Sequence, residues 1–139
     1  MKLSTFAPLA LAMASSAFAW IVNDYAEVTD CNIIDTDANE ADAFFREYNG
    51  TDSNICHNFD GGEPGSTCSQ HRTEGEVSNC TDDFVVSGSV TILDSPQCEF
   101  FTASDCAGSS RIVALGYCVT GEFLSFSCVS ELLHLSECE

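Results

Sequence analysis

The amino-acid sequence predicts a mainly β protein: a small, disulfide-rich, antiparallel Greek-key sandwich. Nine cysteines occur in 139 residues, all of them after residue 30. Short runs of β-branched and aromatic residues recur in the second half of the chain, and turn-forming glycines and a proline separate them. Several short strands at near-regular spacing are typical of an antiparallel sandwich. Cysteines at this density indicate that disulfides stabilise it.

The first 19 residues have the three parts of a cleavable secretory signal peptide. Lys2 supplies a positive charge, Leu3–Met13 forms a short apolar segment, and Ala17–Ala19 gives the small-x-small cleavage pattern. The apolar segment is far shorter than the roughly 20 residues that a transmembrane helix needs. We therefore expect a secreted, extracellular protein without a membrane anchor, whose mature chain is the single domain 20–139 and begins at Trp20.

The mature chain divides near residue 84 into an acidic part, 20–83, and a β-rich part, 84–139. Fifteen of the 22 acidic residues lie in the first part, which reads as loop-rich. A short Asp-capped helix is predicted over Asp35–Arg46, and the Gly and Pro content of Asp60–Ser66 indicates a loop.

The second part reads as a series of strands that end at turn signals. A final helical turn is predicted over Glu131–Leu135. The predicted strands are Phe84–Leu93, Glu99–Thr102, Arg111–Leu115, Tyr117–Val119 and Phe123–Val129.

Charge limits the class of partner. Removal of Lys2 with the signal peptide takes the formal net charge from −18 to −19, and the remaining basic residues are Arg46, Arg72 and Arg111. Such a chain lacks the basic surface that nucleic acid or an anionic membrane requires. The expected partner is an extracellular protein or a cell-wall component.

The odd number of cysteines leaves one without an intramolecular partner if the others pair. Cys138 and Cys31 are the candidates, and a leftover thiol suggests a disulfide-linked homodimer. Zinc binding by Cys56, His57, Cys68 and His71 is disfavoured because no Cys-x-x-Cys spacing occurs. The disulfide candidates are Cys31, Cys56, Cys68, Cys80, Cys98, Cys106, Cys118, Cys128 and Cys138.

Two N-glycosylation sequons follow from the Asn-x-Thr pattern. Asn49-Gly50-Thr51 lies in a polar, turn-like stretch and is the favoured site. Asn79-Cys80-Thr81 has a cysteine at its centre, and early pairing of Cys80 would hide it.

The remaining motifs predict no metal site, no cofactor and no catalytic residues. The acidic run from Asp35 begins like a calcium loop, but Glu40 and Arg46 replace its glycine and its bidentate glutamate. The chain has no Gly-x-Ser-x-Gly elbow. His57, His71 and His134 are not matched to a nucleophile and an orienting acid. We expect a protein that is not an enzyme.

The segment from Cys98 to Cys128 resembles small cysteine-rich secreted proteins of filamentous fungi. Their pattern, Cys-x-x-[Phe/Tyr]-x-x-x-x-Cys-x-Gly, then Gly-x-Cys and Ser-Phe-x-Cys, matches Cys98–Gly108, Gly116–Cys118 and Ser125–Cys128. Some members look like βγ-crystallin or killer-toxin Greek-key domains. In the βγ-crystallin calcium motif, Val86 stands where a hydroxyl residue is required, so calcium binding is not carried over.

The resemblance implies an effector-like protein that binds a host or cell-surface component. A toxin or antimicrobial protein directed against competitors is the first alternative, and a small secreted hydrolase or inhibitor is the second.

Overall fold

Two antiparallel β-sheets form the fold in the computed structural model, which describes residues 20–33, 43–60, 66–81, 83, 85–95 and 97–129. All the regular secondary structure of these described residues is strand, so the mainly β prediction is confirmed. The strands are β1 (Trp20–Ala26), β2 (Phe44–Gly50), β3 (Cys56–Asn58), β4 (Ser66–Arg72), β5 (Val77–Asn79), β6 (Ser87–Asp94), β7 (Gln97–Phe101), β8 (Ser110–Ala114), β9 (Cys118–Thr120) and β10 (Ser125–Val129).

The larger sheet has six strands in the order β5-β4-β2-β1-β6-β9, and the smaller sheet has four in the order β3-β10-β7-β8. Strands β5 and β9 are therefore the two edges of the larger sheet. Strand β8 is an edge of the smaller sheet. The Greek-key connectivity stays a prediction.

The core lies between the two sheets. Side chains alternate along each strand, so Trp20 and Val22 of β1 face inward together with Tyr48 of β2. The smaller sheet contributes Phe100 and Phe126, which lie opposite each other in the register of β7 and β10. The aromatic rings interlock: the Trp20 ring meets that of Phe126 edge-on at 5.3 Å between centroids. Such pairs add stabilisation beyond the apolar area that they bury.

A smaller apolar cluster lies on the outer face of the larger sheet. Tyr25 and Phe45 are register partners on β1 and β2, and the loop after β1 returns Val28 and Ile33 to the same cluster. The Phe45 ring stacks on His71 of β4 at 4.6 Å.

The predicted helix over Asp35–Arg46 is wrong where the structure describes it. Residues 44–46 belong to β2, and residues 34–42 lie outside the described part. Phe45 packs in the outer cluster while Arg46 and Tyr48 face the interior, so pairing with β1 and β4 overrides the local helical propensity.

The acidic part contains more strand than its composition suggested, because it supplies β1–β5. The second part follows the prediction closely, with β6–β10 at the five predicted places. The signal peptide and the final helical turn, residues 131–135, lie outside the described residues.

Candidate functional site

Eight cysteines pair in the described part of the chain. Cys31 pairs with Cys118, which contradicts its prediction as the leftover thiol. Of the nine cysteines in the sequence, the one that is not in these four bridges is Cys138, which lies outside the described residues. A small β protein with several disulfides is typical of an oxidising, extracellular compartment. The four bridges are Cys31–Cys118, Cys56–Cys106, Cys68–Cys80 and Cys98–Cys128.

The bridges join different pairs of structural elements. Cys31–Cys118 ties the loop after β1 to the edge strand β9, across 87 positions of sequence. Cys98–Cys128 joins register partners on β7 and β10. Because cross-links restrict the unfolded chain, the frame is expected to hold its surface loops in fixed positions.

Four large apolar side chains are exposed on β8, in the turn that leads from β8 to β9, and at the end of β6. We call this surface the β8–β9 corner and define it by Leu93, Ile112, Leu115 and Tyr117. These residues are 53%, 64%, 51% and 67% exposed, respectively. Three of the four lie within six consecutive residues, 112–117, and exposed apolar groups of this kind are candidates for contact with a partner. Tyrosine is also enriched among the residues that dominate binding energy.

A tight turn fixes the corner against the larger sheet. Gly116 has a φ of 81°, a left-handed conformation that favours glycine. Its backbone N–H donates to the Ile92 carbonyl at 3.0 Å, and the Tyr117 N–H donates to the Ala114 carbonyl at 3.3 Å. The next residue, Cys118, is bridged to Cys31. Tyr117 is therefore held between a hydrogen-bonded turn and a disulfide.

The corner has charged residues at its rim. Asp94 ends β6 beside Leu93, and Glu99 is the register partner of Ile112. Arg111, on β8, is exposed, whereas Arg46 is buried and Arg72 is half-buried. The corner thus has exposed apolar residues with charged residues of both signs beside them, on a chain whose overall charge is strongly negative.

Strand β8 also has a free edge. Among the described strands it pairs only with β7, which makes it an edge of the smaller sheet within the described part of the chain. A free edge can accept an extended segment of another chain by β-strand addition.

A second feature is a group of polar side chains buried between the sheets. Asp24 of β1 is fully buried, and its register partner Arg46 of β2 is 1% exposed. The guanidinium donates to the Gln70 side chain at 3.3 Å, to the Asp83 carbonyl at 2.9 Å and to the Thr81 hydroxyl at 2.9 Å. Arg46 therefore ties the chain after β5 to the middle of the larger sheet.

The Asp24 carboxyl has no such partners. Neither of its oxygens accepts a hydrogen bond from the described residues, and its distance from the Arg46 guanidinium exceeds that of an ion pair. Burial raises the pKa of Asp24 well above its ordinary value, and the positive charge of Arg46 offsets only part of this. Burial likewise raises the pKa of the Tyr48 phenol, and the Asp24 charge adds to the effect.

His57 belongs to the core. It is 1% exposed and contacts the rings of Trp20 and Phe126. Its Nε2 lies 3.0 Å from the Asp52 carboxylate. The Trp20 indole N–H donates to the same carboxylate at 2.9 Å and to the Asp52 carbonyl at 3.1 Å. Asp52 thus fastens the start of β1.

The suggested zinc ligands do not converge. Cys56 and Cys68 are each in a disulfide. His71 stacks on Phe45 and is hydrogen-bonded to Ser69. Within the described ranges, no group of three or more His, Cys, Asp or Glu side chains is arranged to hold a metal ion. His134 lies outside these ranges.

The two sequons lie on the outer face of the larger sheet. Asn49 is on the central strand β2, half-buried, and its side-chain oxygen accepts a hydrogen bond from Thr67. Asn79 is exposed at the end of the edge strand β5. Its neighbours are engaged, since Cys80 is bridged to Cys68 and the Thr81 hydroxyl accepts from Arg46.

The two calcium-like motifs fall partly outside the described residues, and the βγ-crystallin-like stretch covers residues 82–87. The acidic run 35–40 lies outside the described residues. Of the βγ-crystallin-like stretch, the Asp83 carbonyl accepts from Arg46. The Ser87 hydroxyl donates to the Gly121 and Phe123 carbonyls. Both groups therefore serve the packing of the sandwich.

The chain has no match among known proteins in three comparisons: no family model, no curated protein and no solved structure matches it. In the described residues, no helix has the length and hydrophobicity to cross a membrane.

Sequence reasoning missed the β8–β9 corner, although a signal was present. Residues 111–117 read Arg-Ile-Val-Ala-Leu-Gly-Tyr, a nearly continuous apolar run. An edge strand with one face on the core needs apolar residues at alternate positions only. Val113 fills the inward position, which leaves Ile112, Leu115 and Tyr117 unexplained by the core.

Proposed function

We propose that the chain is a secreted binding protein that acts outside the cell on a host or cell-surface component, and that the β8–β9 corner is its contact surface. The observation that carries the proposal is the exposure of four large apolar side chains on a frame that disulfides hold in place. Contact residues commonly lie on loops that a rigid scaffold positions.

The chemistry of the corner indicates the kind of partner. Its exposed apolar side chains favour a partner with apolar or aromatic groups, and Tyr117 supplies a large, rigid contact that loses little conformational entropy on binding. Asp94, Glu99 and the net charge of −19 for residues 20–139 favour basic groups around that patch. The proposed partner is an extracellular protein or cell-wall component with these two properties.

Binding of the labelled, purified protein to intact plant cells and to competitor fungi or bacteria tests the proposal. We expect saturable binding that unlabelled protein displaces and that Tyr117→Ser or Ile112→Ser weakens about tenfold or more. Val77→Ser is the matched control, because Val77 is 59% exposed but lies on β5, at the other edge of the larger sheet. Equal effects of all three substitutions, or no saturable binding, would reject the corner as the contact surface.

Two simple assays separate a host-directed protein from a toxin directed against competitors. Infiltration of leaves with wild-type protein and with Tyr117→Ser tests for a plant response that depends on the corner. Growth inhibition of fungi and bacteria by the same pair tests the toxin alternative. A response in the second assay alone assigns the protein to the toxin class.

A further inference from the structure

Asn79 is placed where an attached sugar chain fits the folded protein. It is exposed at the end of β5, the edge strand of the larger sheet. The register aligns Asn79 with Ser69 of β4 and Glu47 of β2, and register partners in an antiparallel sheet point to the same face. These residues alternate with the inward-facing Cys68 and Tyr48, so the Asn79 side chain points away from the core.

The other two residues of the sequon are held by contacts of the fold. Cys80 is bridged to the inward-facing Cys68, and the two are separated by only 12 positions in sequence. The Thr81 hydroxyl accepts a 2.9 Å hydrogen bond from the buried Arg46 guanidinium. Thr81 is exposed, but its hydroxyl, which is part of the acceptor sequence, is already engaged by Arg46 in the folded protein.

We propose that Asn79 is an N-glycosylation site whose occupancy is set by competition between glycan transfer and closure of the Cys68–Cys80 bridge. The proposal rests on the export assumed in the proposed function. In the transfer, Asn79 Nδ2 forms a bond to C1 of an oligosaccharide carried on a lipid diphosphate. The bond from C1 to the diphosphate oxygen breaks, Nδ2 loses one proton, and the lipid diphosphate leaves.

The order of events follows from the contacts. Before closure, the segment from Asn79 to Thr81 is free to enter the transferase. After closure, the disulfide holds Cys80 beside β4 and the hydrogen bond from Arg46 holds the Thr81 hydroxyl, so the segment is no longer free to change its conformation. The loop that the bridge closes is short, so little chain has to be synthesised before it can form. We therefore expect only a fraction of the wild-type molecules to carry a glycan at Asn79.

The experiment uses the full chain with its own leader, expressed in a eukaryotic secretion host. The fraction glycosylated at Asn79 is measured by peptide mass spectrometry after N-glycosidase treatment in isotope-labelled water. Cys68→Ser removes the competing bridge and leaves Asn79-Cys80-Thr81 intact. Cys80→Ser removes the bridge and any alternative pairing of residue 80, and it retains a sequon. Asn79→Gln identifies the site.

Cys56→Ser is the matched control. It breaks a different bridge, Cys56–Cys106, and also leaves one cysteine without its partner, but it does not release Cys80. The expected result is partial occupancy in the wild type, an increase of severalfold or to completion in both Cys68→Ser and Cys80→Ser, and no such increase in Cys56→Ser. The occupancy is measured on cellular and secreted chains together, so the result does not depend on folding of the variants.

Three results would overturn the proposal: full occupancy in the wild type, no occupancy in any variant that retains the sequon, or the same change in Cys56→Ser as in Cys68→Ser. Failure of export would be seen separately, as an uncleaved leader and absence of protein from the medium.

Discussion

Asp24 carries a carboxyl group that the fold buries completely and leaves without a hydrogen-bond partner among the described residues. Among the described residues, the charge of Arg46 lowers the pKa of Asp24, and the charge of Asp24 in turn raises the pKa of Tyr48. The hydrogen bonds of Arg46 go to Gln70, Thr81 and Asp83. Desolvation therefore dominates, and the pKa of Asp24 is raised in the folded state.

Because its pKa is raised, Asp24 destabilises the folded state less in acid than at higher pH. Between the unfolded pKa, about 3.9, and the higher folded pKa, the folded state keeps a proton that the unfolded state has lost. The free energy of unfolding then decreases as pH rises, by up to about 1.4 kcal/mol per pH unit for this one group. Above the folded pKa the contribution of Asp24 levels off, and below about pH 3.9 its penalty is absent.

Replacing Asp24 with Asn tests this reasoning, because the amide does not titrate. The amide brings its own cost of about 1–3 kcal/mol if its N–H groups find no partner, but that cost is the same at every pH. The difference in unfolding free energy between the variant and the wild type should therefore increase from pH 4 upward with the slope given above. Urea unfolding across the pH range measures it.

Glu74→Gln is the control for loss of a negative charge without burial, since Glu74 is exposed in the turn between β4 and β5. Its stability curve should run nearly parallel to that of the wild type. Parallel curves for Asp24→Asn and the wild type would refute the reasoning and indicate that a water molecule or another group satisfies the carboxylate.

Further predictions concern the frame. In Gly50→Ala, the new Cβ would lie 2.3 Å from a Trp20 ring carbon, so unfolding should require about 1–3 kcal/mol less; an unchanged melting temperature, as expected for the exposed Ser78→Ala, would contradict this. Trp20→Phe removes the indole hydrogen bonds to Asp52 and should lower the free energy of unfolding by about 1–3 kcal/mol at neutral pH. In a double-mutant cycle, Asp52→Asn should then be less destabilising in the Trp20→Phe background than in the wild type. Removal of the Cys31–Cys118 bridge, which spans 87 positions, should lower the free energy of unfolding by about 4–5 kcal/mol according to the loop-entropy relation. Removal of Cys68–Cys80, which spans 12 positions, should lower it by about 3 kcal/mol. The reverse order in chemical unfolding would show that the entropy of the unfolded chain does not decide the effect.

The strands of the second half could be predicted because their residues combine high β-propensity with clear turn signals. Strand β6, Ser-Gly-Ser-Val-Thr-Ile-Leu-Asp, is the clearest example. The strands of the first half lack such a signal. Strand β4 reads Ser-Thr-Cys-Ser-Gln-His-Arg, and only its pairing with β2 and β5, together with the Cys68–Cys80 bridge, accounts for its extended form.

Long-range pairing also limits what the sequence reveals about the site. Strand β1 lies between β2 and β6, and its partners on β6 are about 65 positions away in sequence. No local pattern encodes that register. The burial of Asp24 and Arg46 on the same inward-facing row depends on it. An acidic residue in a strongly acidic segment reads as solvated, so the composition gave no indication that the fold buries the carboxyl of Asp24.

The two proposed surfaces are compatible because the larger sheet separates them. Asn79 lies on β5, whereas Tyr117 directly precedes β9, and these strands are the opposite edges of a six-stranded sheet. Five strand spacings of about 4.8 Å place the two edges about 24 Å apart. A glycan on Asn79 would shield the β5 edge against strand addition and leave the β8–β9 corner open to a partner. In this arrangement, the glycan keeps other chains from adding to the β5 edge, and the opposite edge stays open to a binding partner. The Cys68–Cys80 bridge holds the first edge and the Cys31–Cys118 bridge holds the second.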